Sequence, residues 1–207
     1  MPHPAMATAP DRGSDVSRDA LSVLNHVFGL PGFRGAQEEI VRHVIGGGNC
    51  MVLMPTGGGK SLCYQLPSLL RKGCGIVISP LIALMRDQVA GLLEAGVKAA
   101  ALNSTLSYEE ANAIEARLLA GDLDLLYVAP ERLLTPRCLA LLGRADIALC
   151  FTMGARLSPG IYRPLHHRRT FSKCTAHRAD RHGRRPHPER DRRPARARQR
   201  SELCCEL

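Results

Sequence analysis

Two rhythms of apolar and polar positions run through the first 150 residues of the chain. From Asp19, the segment DALSVLNHVFGL sets Leu21, Leu24 and Phe28 at helical spacing, and Gly29 stops it. After the loop PGFRGA, QEEIVRHVIGG carries Ile40, Val41 and Ile45 on one face and ends at three glycines, Gly46 to Gly48. From there, short and wholly apolar runs alternate with longer amphipathic ones. CMVLM (50–54), GIVIS (75–79), VKAAALN (97–103), LDLLYVA (123–129) and ADIALC (145–150) read as strands. SLCYQLPSLL, LIALMRDQVAGLLEAG, a segment opened by Ser107-Tyr108-Glu109-Glu110, and PERLLTPRCLALLG (130–143) read as the helices between them. Ser107 and Glu110 fit a capping box, in which each side chain satisfies a backbone N–H at the helix start. Strands that alternate with helices of this length predict an α/β domain with a mostly parallel sheet and helices on both faces. Strands that are apolar throughout, rather than at every second position, fit burial on both sides.

Composition divides the chain near Cys150. Of 28 Lys+Arg and 19 Asp+Glu, residues 151–207 hold 15 and 5, which leaves 13 and 14 for residues 1–150. The whole basic excess therefore lies in a tail rich in Arg, His and Pro, with neither helical nor strand periodicity, and the tail is expected to be disordered. Residues 1–18, rich in Pro, Ala, Gly and Asp, read as a flexible lead-in. The expected organisation is 1–18 flexible, 19–150 folded and 151–207 tail. No run of about 18 apolar residues occurs, which excludes a membrane-spanning helix. No basic patch followed by an apolar stretch opens the chain. Five cysteines (Cys50, Cys63, Cys74, Cys138, Cys150) sit in apolar stretches, where a free thiol behaves as a small buried hydrophobe. Together these features point to reduced core thiols and a cytoplasmic protein. Only 4% of residues are aromatic, so a base-stacking platform is poorly supplied.

The central chemical signal is MPTGGGKS, Met54 to Ser61, between an apolar strand and a helix. That is the setting a phosphate-binding loop requires. Gly57, Gly58 and Gly59 can turn successive N–H groups toward an anion, and Pro55 and Thr56 lead the chain into the turn. The helix N-terminus adds partial positive charge. Lys60 is expected to meet β- and γ-phosphates, and Ser61 to offer its hydroxyl to Mg²⁺. Met54 stands where the strict pattern has Gly. The loop alone also suits a small-molecule or nucleotide kinase.

FGLPGFRGAQEEIV (28–41), MPTGGGKSLCYQLP (54–67), ISPLIALMRDQV (78–89), LNSTLS (102–107) and LLYVAPERL (125–133) stand in the order and spacing of the first motor domain of RecQ-family DNA helicases. The resemblance covers about residues 20–150 and disfavours the kinase reading. DEAD-box RNA helicases share the layout, but the wording of these motifs is closer to RecQ. The resemblance implies a RecA-like P-loop domain, incomplete at its last strands, from a family that uses ATP and Mg²⁺ to unwind DNA in the 3′-to-5′ direction and has single-stranded or junction DNA as its partner. It implies that Arg34 and Gln37 hold adenine, with Leu30 where many relatives carry an aromatic. It implies that Ser79, Pro80, Arg86, Asn103, Pro130, Glu131 and Arg132 belong to motifs that grip DNA phosphates or couple them to ATP. Catalytic roles fall on Lys60 and Ser61.

ATP hydrolysis also needs an acidic residue for Mg²⁺ and a base to orient water. In the family these come from a DEAH box directly after the strand that here reads DIALC, and this chain has no DEAH. Its tail is compatible with family sequence read one base out of frame. Met153-Gly154 then necessarily gives a tryptophan codon, Thr152–Arg163 can give QWGHDFRPEYIG, and Ala179–Gly183 can give LTATA. The expectation is a truncated and inactive piece of a helicase. The alternative is a non-catalytic fragment that binds nucleic acid through its basic tail. Cys174, His177, His182 and His187 match no recognised zinc spacing.

Overall fold

A computed structural model describes residues 20–55 and 57–153, together with the backbone of 172–177 and 203–206. The lead-in 1–18, Thr56, and the shifted-frame motifs over 154–163 and 179–183 lie outside the described residues, as do His182 and His187.

Five apolar runs form the strands expected of them. These are β1 (Cys50–Leu53), β2 (Cys74–Ile78), β3 (Ala99–Leu102), β4 (Leu125–Val128) and β5 (Ile147–Met153). Every residue of β2 and β4 is buried. This is what a strand covered on both faces demands, and it explains why neither run alternates. Two further strands come from the tail, β6 (Ser172–His177) and β7 (Leu203–Glu206). The sequence placed no strand in either segment. The sheet order is β3-β4-β2-β5-β6-β1-β7, and all pairings are parallel. Strand β5 also runs past the compositional boundary at Cys150.

Helices α1 (Ala20–Phe28), α2 (Gln37–Ile45), α3 (Leu62–Leu70), α4 (Ile82–Glu94) and α5 (Tyr108–Leu119) lie where the periodicity put them. The segment 130–143, which reads as one helix, is two: α6 (Pro130–Leu133) and α7 (Pro136–Arg144). Pro136 is the cause. It disfavours helical angles at the residue before it, so Thr135 is extended (φ −71°, ψ 140°). Thr135 then caps the new helix, its hydroxyl accepting from the Cys138 N–H.

Two cores flank the sheet. On one face Ile40, Val44, Tyr64, Met85, Tyr127 and Phe151 pack together, which brings α2, α3 and α4 onto the strands. On the other face Ile76, Leu126, Val128, Ala111, Leu118 and Leu141 pack, under α5 and α7. Cys50, Cys63, Cys74, Cys138 and Cys150 are all buried.

The capping box is present as expected. Ser107 Oγ accepts from the Glu110 N–H at 3.2 Å, and Glu110 Oε2 accepts from the Ser107 N–H at 2.7 Å. That second bond holds the Glu110 carboxyl below its ordinary range. Ser107→Ala should lower stability by about 1 kcal/mol, read as a lower urea midpoint at unchanged slope. The carboxylate's share of the box should be present at neutral pH and fade as pH falls through the depressed Glu110 value.

Candidate functional site

Because all the strands are parallel, their carboxyl ends share one edge of the sheet, the edge where open α/β sheets bind ligands. The glycine loop follows β1, Ser79-Pro80 follows β2, Asn103 follows β3 and Ala129-Pro130 follows β4. Sequence segments that lie up to 70 or so positions apart are thus brought to one rim.

At the glycine loop, Gly57 and Gly59 have φ of +84° and +74°, the left-handed region that glycine alone enters without strain. Gly58 N–H donates to Pro55 O at 3.1 Å and closes the turn. A Cβ on Gly59 would lie 2.2 Å from Gln37 Nε2, so a side chain there displaces the Gln37 amide from the loop. The Lys60 ammonium folds across the turn and donates to Met54 O at 2.9 Å and Pro55 O at 2.7 Å. Its charge is therefore held at the loop mouth, with two of three N–H donors engaged on backbone carbonyls. Ser61 opens α3, the helix whose N-terminal dipole faces the loop. Glycine cradle, ammonium, hydroxyl and helix end form a donor set that fits a polyphosphate with its Mg²⁺.

Gln37 is 2% exposed, and both ends of its amide are engaged. Oε1 accepts from Arg34 N–H at 2.7 Å, while Nε2 donates to Gly58 O at 3.2 Å and Gly59 O at 3.3 Å. The residue expected to read a base edge is thus also the peg that fixes the glycine loop. Arg34 is exposed beside it.

Along the rest of the rim, Ser79 is buried and its Oγ accepts from Leu81 N–H at 3.4 Å, while Pro80 is exposed. Arg86 on α4 donates to Thr105 Oγ1 at 3.0 Å. Thr105 in turn donates to Asn103 Oδ1 through its hydroxyl at 2.7 Å and its N–H at 2.9 Å. Asn103 itself is buried. Arg86 and Asn103 therefore form one hydrogen-bonded unit joined by Thr105, a residue the sequence reading missed. Its only local signal was the two-residue offset from an Asn that allows an Asx turn. Pro130 opens α6, Glu131 is exposed, and Arg132 pairs with Glu115 at 3.4 Å. Glu115 also binds Arg137 at 2.8 Å, and the Arg137 guanidinium lies 5.2 Å from the Tyr108 ring centre. Glu115, on α5, was not foreseen either, because its partners lie 17 and 22 positions away.

Residues 34–143 match the DEAD/DEAH box helicase family. The chain belongs to this family. Within it, the chain is 45% identical over 132 residues to the ATP-dependent DNA helicase RecQ of Haemophilus influenzae, covering 64% of this chain and 21% of that protein. It is 47% identical over 131 residues to the RecQ of Bacillus subtilis, covering 63% and 22%. The chain spans about a fifth of the length of these curated relatives. Its fold matches the helicase MrfA, solved bound to DNA and AMPPNP, with a TM-score of 0.63 at 16% identity over 82% of this chain and 27% of that one. The RecQ resemblance and the P-loop α/β fold are therefore both shown. In sequence, no carboxylate follows β5 directly: Gly154, Ala155 and Arg156 come after Met153. Among the described residues no group of three or more His, Cys, Asp or Glu could hold a metal ion. No helix among them is long and apolar enough to cross a membrane.

Proposed function

We propose that this chain is the nucleotide-gripping part of a RecQ-type, ATP-dependent DNA helicase motor, acting in the cytoplasm. The observation that carries the proposal is the glycine loop pinned by Gln37 at the carboxyl edge of a parallel sheet. When bound, ATP with Mg²⁺ supplies the phosphoanhydride whose cleavage drives such motors. The chain's own residues do the following. The Gly57–Gly59 amides and the α3 N-terminus bind the phosphates, and Lys60 exchanges its two carbonyl partners for phosphate oxygens. Ser61 would hold the metal through its hydroxyl. Arg34 and Gln37 border the base. Ser79, Arg86 with Thr105 and Asn103, and Arg132 border the DNA backbone, where such contacts set position rather than sequence.

With no DEAH box in its sequence, the chain has no acid in the family's place to hold Mg²⁺ against the transition state. We infer binding without useful turnover and without unwinding. Lys60→Ala should weaken binding of a fluorescent ATP analogue at least about tenfold, the loss of one charge-assisted contact to phosphate. An unchanged affinity sinks the nucleotide assignment. Robust DNA-stimulated ATPase activity that disappears in Lys60→Ala sinks the claim of inactivity.

A second reading rests on the 15 basic residues of 151–207. Such a tail binds nucleic-acid phosphates by counterion release, so its affinity falls steeply with salt. DNA binding that ignores ATP and falls steeply with salt favours this reading over the motor.

A further inference from the structure

Beneath the rim, four polar side chains meet at the edge of the apolar core, three of them buried and the fourth, Gln88, half-buried. The Tyr64 hydroxyl donates to Gln88 Oε1 at 3.3 Å and shares a hydrogen bond with the Tyr127 hydroxyl at 3.1 Å. Gln65 Nε2 donates to Gln88 Oε1 at 3.1 Å and to the Tyr127 hydroxyl at 3.4 Å. Tyr64 and Tyr127 are fully buried, and Gln65 is 7% exposed. Burial raises both phenol pKa values, so both stay protonated donors across the physiological range.

The elements that meet here are those that leave the rim. Helix α3 starts at the glycine loop, with Ser61 as its N-cap, and carries Tyr64 and Gln65. Helix α4 starts just after Ser79-Pro80 and carries Arg86, with its Thr105 and Asn103 partners. Strand β4 runs directly into Ala129-Pro130 and Arg132. An apolar contact would let these elements slide. Four directional bonds that meet at two shared oxygens, Gln88 Oε1 and the Tyr127 hydroxyl, together with the Tyr64 hydroxyl, do not. All four are longer than the ~2.8 Å usual for a hydroxyl donor or the ~2.9 Å for an amide donor, so a sub-ångström shift of α3 tightens or breaks them.

We propose that Gln88, held by Tyr64 and Gln65, which Tyr127 braces in turn, is a positioning residue that makes nucleotide binding and DNA binding interdependent. This rests on the motor reading above. Gln88 touches neither ligand. Its Oε1 joins the helix of the phosphate loop to the helix of the DNA rim. A movement of the loop onto phosphate is thereby felt at Arg86 and Arg132, and by linkage the effect is reciprocal.

The test measures the affinity of the full chain for a fluorescein-labelled oligothymidylate with and without saturating AMPPNP–Mg²⁺. The wild-type ratio should be about tenfold, within the usual range for coupled sites. Gln88→Leu should bring that ratio below about twofold while each ligand alone binds within about twofold of wild type. Gln88→Glu keeps an acceptor oxygen at the same reach and should keep the ratio, which a purely space-filling role does not predict. Gln88→Leu leaves the Tyr64–Tyr127 and Gln65–Tyr127 bonds in place. Should it nevertheless fail to fold, Tyr127→Phe, which removes the other shared oxygen at nearly equal volume, carries the same expectation. The basic tail contributes equally to every variant and cancels in the ratio. An undiminished ratio in Gln88→Leu or Tyr127→Phe overturns the proposal, as does a wild-type chain that binds both ligands independently. A wild-type chain that binds neither ligand overturns the motor reading and this proposal with it.

Discussion

A chain cut after Met153 is expected to lose nucleotide binding together with most of its cooperative fold. The reason lies in strand order. Strand β1, which delivers the phosphate loop, does not touch β5; its ladder partners are β6 on one side and β7 on the other. Both belong to the tail. With neighbouring strands about 4.8 Å apart, β5 and β1 are separated by a gap of roughly 10 Å that one strand fills. Cys50↔Cys174 and Leu53↔His177 close the register on one side of β6, and Leu149↔Ser172 and Met153↔Ala176 on the other. Deleting 154–207 leaves both edges of β1 unpaired although Val52 is 1% exposed. Each buried backbone group left without a partner costs about 1–3 kcal/mol, and a four-residue strand carries several. The expected result is a thermal midpoint lower by more than about 10 °C and no measurable binding of a fluorescent ATP analogue. Had 151–207 been only an irregular basic appendage, the cut would leave both unchanged and remove only salt-sensitive DNA binding. Circular dichroism melting and nucleotide titration of the truncated chain separate the two outcomes.

That expectation marks where the sequence stops being readable. Strands β2 and β4 were legible because five and four consecutive buried positions leave an apolar run that nothing else explains. The glycine loop was legible because an ammonium, a hydroxyl and three glycines between strand and helix serve few other purposes. Strand β6 was not legible. Its residues, SKCTAH, carry no apolar run, and its place is dictated by the gap between β5 and β1 rather than by its own propensity. The break at Pro136 was legible in principle, since proline forces its predecessor out of the helix, but the apolar spacing on either side masks it. At the site, sequence located Gln37 but not its bonds to Gly58 and Gly59, and it located Arg132 but not Glu115. Such partners are tertiary. They are set by how far apart the strands lie, and no local periodicity records them.

The second large effect concerns Phe151, at the end of β5 where the family's acidic box would begin. Phe151 is 1% exposed and stacks on Tyr64 with ring centres 4.1 Å apart and planes inclined by 27°. In the sheet it stands opposite Val77, which stands in turn opposite Tyr127, so one row of large side chains crosses β5, β2 and β4 beneath α3 and α4. Phe151→Ala removes the ring and leaves a cavity that this row cannot fill without moving α3. The expected loss is about 3–5 kcal/mol, of which about 1 kcal/mol is the aromatic pair itself. In a domain of this size that lowers the melting temperature by roughly 10–20 °C. The urea midpoint should fall while the slope stays unchanged, because the surface exposed on unfolding barely alters. Phe151→Leu, which keeps most of the volume but no ring, should cost less than half as much. If Phe151→Ala melts within about 3 °C of the parent, the row is not part of the cooperative core. The end of β5 is then free to move independently of the phosphate-loop helix, and the packing that holds Tyr64 in place must come from elsewhere.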